Sequence, residues 1–232
     1  MFFMDYTYIL VIIGVILCSL ASMFMNSTFA KYSQVRNYAN MTGAQVAERI
    51  LHCSGVYDVR IERVSGNLTD HYDPRSKVLR LSDSTYNSTS IAAMGVAAHE
   101  CGHVMQHAFG YKPLELRASL VPIANIGSSI SWPLILIGLF IRSNSSSFFI
   151  NAGILCFCAV VLFQLVTLPV EFNASNRAIK MLEEYGMVNT QEVGDARAVL
   201  SAAALTYVAG ALSAILQLLR LILIAQNNNR RR

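Results

Sequence analysis

The sequence predicts an α+β membrane protein, mainly helical, with three to four transmembrane helices and one small polar domain that holds a short β-sheet. Three observations predict it. Hydrophobic residues make up 54% of the chain and charged residues only 14%, with mean hydropathy +0.44, whereas a soluble domain is about a quarter charged. The apolar residues gather in four long runs, as membrane spans require. Between the first run and the second lies a polar stretch that reads as helix, strands and helix, and it contains His99-Glu100-Cys101-Gly102-His103.

The first run, Tyr6 to Met25, carries no charge and is long enough to cross a hydrocarbon core. A cleaved secretory signal needs a basic start and a shorter apolar stretch. This chain starts with Asp5 and no Lys or Arg, and Lys31 and Arg36 follow the run. Residues 1–25 are therefore expected to be an uncleaved anchor. The second run, Leu120 to Ile141, is mixed at first (Asn125, Ser128, Ser129, Ser131) and strongly apolar from Pro133 onward; the third is Phe148 to Leu168. Together, residues 120–168 read as a transmembrane hairpin. The fourth run, Ala202 to Ala225, is interrupted by Gln217 and Arg220, and polar groups in a span face protein or water. Residues 202–232 thus read as a transmembrane or interfacial helix with a basic tail.

In the polar region, residues 26–119, Thr42 to His52 shows an apolar helical stripe of Ala44, Val46, Ala47, Ile50 and Leu51, with Gly55 as its stop. Val56 to Val64 alternates imperfectly and favours a strand, one whose edge could accept a peptide. Ser65-Gly66-Asn67 signals a turn and Asp70 to Pro74 a loop. Lys77 to Leu81 alternates as a second strand, and Asp83 to Thr89 is turn-like. A Ser or Thr near position 90 caps the helix that carries the histidines.

Lys and Arg crowd residues 26–119 and recur after Leu168 as Arg177, Lys180 and Arg197, whereas the loop at 143–147 has only Arg142 beside it. The positive-inside rule then puts the histidine side in the cytoplasm. Four complete crossings would leave Arg230, Arg231 and Arg232 outside, against that trend. The five cysteines form no Cys-x-x-Cys pair, which excludes a zinc knuckle or a disulfide framework; Cys101 reads as a packing residue. The Asn-x-Ser/Thr triplets, from Asn26 to Asn173, are read as chance.

A spacing of four puts His99 and His103 on one helix face, one turn apart, where two imidazoles can grip one metal ion. Glu100 then stands beside the metal as general base. Catalytic zinc usually takes three protein ligands. His107 lies about 12 Å along the axis from His99, too far to share the ion. The residue six beyond His103, a histidine in metzincins, is Phe109. Glu171 is the better choice. It follows Pro169, which suits a helix start, and it shares a face with the small residues Ala174 and Ala178. Residues 169–201 are accordingly expected to form the helix carrying the third ligand. The two intervening runs return the chain to the starting side of the membrane.

Asp73-Pro74-Arg75-Ser76, Ala98-His99-Glu100-Cys101-Gly102-His103, Pro169-Val170-Glu171-Phe172-Asn173-Ala174-Ser175 and Ala204-Leu205-Thr206-Tyr207-Val208 resemble the YugP-type family of bacterial membrane zinc metallopeptidases. The resemblance covers nearly the whole chain, and more distantly the arrangement is similar to HtpX-type gluzincins. It implies a zincin-like domain in residues 26–119, Zn2+ as cofactor and a peptide or membrane-protein substrate in a bacterial plasma membrane. In HtpX-type chains a Glu-x-x-x-Asp pattern surrounds the third ligand; here Ser175 stands at the Asp position, with Asn173 as another hydrogen-bonding candidate. His71, Arg197 and Tyr207 are candidates for stabilising the oxyanion. Two other classes stay open: a catalytically idle scaffold with a structural metal, and a transport component. An intact Glu100 argues against the first, since a structural site needs no base.

Overall fold

A computed structural model of the chain describes residues 6–141 and 145–230. Asp5, Arg142, Ser143, Asn144, Arg231 and Arg232, on which parts of the charge and triplet arguments drew, lie outside the described residues. In chain order the elements are α1 (Tyr8–Ser33), α2 (Gly43–Cys53), β1 (Arg60–Val64), β2 (His71–Asp73), β3 (Val78–Ser82), α3 (Asp83–Tyr86), α4 (Ile91–Ala108), α5 (Lys112–Phe140), α6 (Ser146–Glu184) and α7 (Thr190–Arg230). Four of them, α1, α5, α6 and α7, are long and apolar enough to cross a membrane. The fold is thus α+β of membrane type.

The chain divides into two compact units. One is drawn from Met1–Ala21, Glu115–Pro169 and Thr206–Arg232; the other from Ser22–Leu114 and Val170–Leu205. The first, helical unit packs through small residues. A Cβ on Gly127 would meet the carbonyl oxygen of Cys156 at 2.5 Å, and one on Gly138 would meet that of Ser146 at 2.9 Å. Buried serines add bonds to backbone, with Ser131 Oγ donating to Gly153 O at 2.8 Å and Ser146 Oγ to Gly138 O at 2.6 Å. These are the devices of helices that pack without help from water.

The second, polar unit has a conventional core of Val46, Ile50, Leu79, Leu81, Met94 and Leu182, among others. Thr42 starts α2 with a capping box: its hydroxyl accepts from Gln45 N at 3.3 Å, and Gln45 Oε1 accepts from Thr42 N at 2.9 Å. The helix ends at Cys53, and Gly55, whose φ of +73° suits glycine, turns the chain away just beyond it. Val56 N then donates back to Leu51 O at 2.9 Å. That cap occupies the residues expected to open the first strand, so β1 begins at Arg60 rather than at Val56.

The sheet has the order β1-β3-β2, with β1 parallel to β3 and β2 antiparallel to it. β2 lies within the stretch expected to be loop. Its residues are turn formers by type, but Asp70 anchors the segment by accepting from Ser82 N and Ser82 Oγ at 2.7 and 2.8 Å. Asp73 then fixes the turn to β3 by accepting from Arg75 N and Ser76 Oγ. Likewise Asp83–Tyr86, expected to be a turn, closes one short helix. Ser90 caps α4 as expected, its hydroxyl accepting from Ala93 N at 3.1 Å.

Pro169 does not start a helix. It lies inside α6, which runs without a break from the third apolar run through Glu171. Proline's φ is helical, and its cost is a lost hydrogen bond to the residue four earlier, which a long helix with intact flanking turns tolerates.

Candidate metal centre

α4 and the Val170–Glu184 part of α6 bring the chemistry together inside the polar unit. Small residues set the approach. A Cβ on Gly102 would meet Ala174 O at 2.5 Å and Ala174 Cα at 3.1 Å, so the two backbones touch there. Ala97, Ala98, Ala174 and Ala178 are fully buried around that contact.

Beside it, His99, His103 and Glu171 converge, with their donor atoms within 4.8 Å of one another. His99 Nε2 stands 3.3 Å from Glu171 Oε2, and His103 Nε2 stands 3.5 Å from the same oxygen. The two rings lie edge to face with centroids 4.8 Å apart. A tetrahedral ion with bonds of about 2.0–2.1 Å needs neighbouring donor atoms about 3.3 Å apart. Two imidazoles and one carboxylate at these spacings fit zinc in both chemistry and size.

Both histidines are held from behind. His99 Nδ1 meets Ser175 Oγ at 3.1 Å, and His103 Nδ1 meets Gln106 Oε1 at 3.0 Å. Gln106 is fully buried. Its amide nitrogen donates to Val170 O at 2.7 Å and to Asn173 Oδ1 at 3.0 Å. Arg177 Nε donates to the same Asn173 oxygen at 2.8 Å, with its guanidinium 6.0 Å from the Tyr111 ring centre. Burial alone would lower the pKa of His103, but the hydrogen bond its ring donates to Glu171 and the nearby Glu100 charge lift it above the usual histidine value.

Glu100 is buried on α4, next to His99 in sequence. Cys101 points to α2, its thiol 3.8 Å from Ala47 O, and burial pushes its pKa up; it is a packing residue. His107 turns away to Tyr72, whose hydroxyl lies 3.3 Å from its Nδ1. Asn173 is engaged by Gln106 and Arg177. His71 is exposed on β2 with its Nδ1 on Thr69 O at 2.8 Å, and Arg197 is exposed on α7. Tyr207 belongs to the helical unit. Sequence reasoning missed Gln106 and Arg177. Gln106 lies three residues after His103, hence on the same face, but the partners that give it a role, Val170 and Asn173, stand on α6.

No solved structure matches the chain. The profile of a family described as "Putative neutral zinc metallopeptidase" matches residues 7–226. A curated relative from Bacillus subtilis (strain 168), described as "Putative membrane protease YugP", is 46% identical over 203 residues, covering 88% of this chain and 89% of the relative. Zinc is the cofactor this similarity implies, and the donor set fits it. With its four apolar helices and a match over nearly its full length, the chain belongs to the family described as "Putative neutral zinc metallopeptidase".

Proposed function

We propose that the protein is a membrane-embedded zinc endopeptidase in which His99, His103 and Glu171 hold the metal and Glu100 is the general base. The observation that carries this reading is the convergence of the three donor atoms from two helices onto one point. Zinc, when bound, acidifies a water and polarises a carbonyl.

The chain's residues supply the rest. Ser175 and Gln106 orient the two imidazoles through Nδ1, leaving each Nε2 directed at the cluster. Glu171, almost wholly buried, brings a fixed negative charge. Glu100 accepts a proton from the attacking water and returns it to the leaving amine. Its burial keeps the carboxylate away from bulk solvent, where it would act more weakly. The clustering of Lys and Arg between residues 26 and 119 supports a cytoplasmic active site in a bacterial plasma membrane. The substrate would be a membrane protein or a peptide close to the bilayer.

Glu100→Gln should retain zinc and slow cleavage by about 10²–10⁴-fold, measured on membrane-protein substrates found by comparing the proteomes of cells making either form. Cleavage by the Gln variant at the normal rate would remove Glu100 from the mechanism. Purified protein that carries no zinc would remove the whole reading.

A further inference from the structure

Hydrogen bonds have a direction, and in this network the direction can be traced from a residue that can only donate. Arg177 has donors and no acceptor. Its Nε–H to Asn173 Oδ1 therefore fixes which end of the Asn173 amide is oxygen. That oxygen also receives the Gln106 amide nitrogen. The second acceptor of that nitrogen, Val170 O, is a backbone carbonyl that cannot exchange roles. Flipping the Gln106 amide would set oxygen against two oxygens in a fully buried place, which costs the desolvation of unmet groups. Gln106 Oε1 must then face His103 Nδ1 as an acceptor.

We propose that the chain Arg177–Asn173–Gln106 sets the tautomer of His103, with Gln106 as a positioning residue. The imidazole carries its proton on Nδ1, which leaves the Nε2 lone pair for the ion. The inference rests on the metal reading given above. It assigns the polarity of the site to residues outside the His-Glu-x-x-His motif. Gln106 also has a second task, because Val170 is the neighbour of Glu171 in the chain. One side chain thereby ties a proposed ligand on α4 to the backbone beside a proposed ligand on α6. His99 differs, since a serine hydroxyl both donates and accepts. Ser175 supports the His99 ring without dictating where its proton sits.

The test uses the full-length protein in detergent, with zinc affinity measured by chelator competition and the visible spectrum of the cobalt-substituted form recorded beside it. Gln106→Met removes the acceptor and both donors at similar volume, and should weaken zinc binding about 10–100-fold and shift the cobalt bands. Gln106→Glu keeps the acceptor for His103 and loses the donors. It should restore affinity to within about threefold of the wild type, while its melting temperature stays low. Arg177→Met leaves every group that touches His103 in place, and should weaken zinc binding by a smaller factor.

Wild-type affinity and an unchanged cobalt spectrum in Gln106→Met would overturn the inference. So would a Gln106→Glu protein that is as stable as Gln106→Met and still binds zinc as weakly, because an acceptor at His103 Nδ1 would then make no difference. If Gln106→Met does not fold, Arg177→Met decides: normal zinc affinity there overturns the inference. A wild type that binds zinc while the variants match it sinks this inference alone. A wild type that binds none sinks the metal reading beneath it.

Discussion

Most isoleucines of the helical unit face outward, Ile135 and Ile150 excepted, whereas those of the polar unit are gathered into its core. In the polar unit Ile50 and Ile91 are wholly shielded, whereas in the helical unit Ile9 and Ile126 each keep 60% of their surface exposed. Leu155, at 73%, and Phe148, at 70%, follow the same outward pattern. Inside the helical unit a small cluster of Ile135, Phe157, Val161 and Leu221 is joined by close contacts at glycine and serine, as at Gly127, Gly138 and Ser131. One chain thus uses two solvents' rules. Where water surrounds a unit, large aliphatic groups gather within it. Where lipid does, they gain nothing by burial, and close backbone contact holds the helices instead.

The comparison can be broken by substitutions of the same kind in both units. Ile50→Ala should cost the polar unit about 2–5 kcal/mol through lost burial and a cavity, and Ile126→Ala should stay within about 0.5 kcal/mol. Equal losses, measured by chemical unfolding in one detergent, would erase the distinction. Gly102→Ala forces a Cβ onto the Ala174 carbonyl. It should cost about 3 kcal/mol, the upper part of the overpacking range, and weaken zinc binding with it; unaltered affinity would show that the α4–α6 contact does not set the cluster. Stripping the metal with a chelator should lower the stability of the polar unit by about 2.7 kcal/mol when zinc had stood at about 100 times its dissociation constant. Hydrogen exchange on α4 and α6 should report that change, with the amides of the helical unit unmoved. Ser131→Ala, within the helical unit, should cost only about 0.6 kcal/mol, and a loss several times larger would give polar bonds more weight there than assumed.

What the sequence revealed followed from how local each signal is. Ser90 announces its helix because a cap and its partner lie three residues apart, and α2 announces itself by its apolar stripe. The apolar runs disclose themselves by length, and the resemblance to the metallopeptidase family rests on short motifs. β2 was hidden because Asp70 and Asp73 look like turn residues, and only contacts with Ser82 and Ser76 turn them into anchors of a strand. Pro169 misled in the other direction: its residue type favours a helix start, but its φ is equally at home inside α6. In the site, the His99 and His103 spacing was readable, and Glu171 could be argued from topology. Gln106 was not, because its role depends on Val170 and Asn173, which are more than sixty positions away.

The backbone contact between Gly102 and Ala174 has a consequence for how the family can drift. Glycine is already the smallest residue, and the atoms it touches are main chain. No substitution at position 102 can bring α4 and α6 nearer, and every substitution drives them apart. Variation at this point therefore has one permitted direction. The spacing behaves as an end-stop, a lower bound already reached. Mutations elsewhere can turn or slide one helix against the other, but a tighter grip on a smaller ion is closed to this pair of helices, and only a looser one lies open.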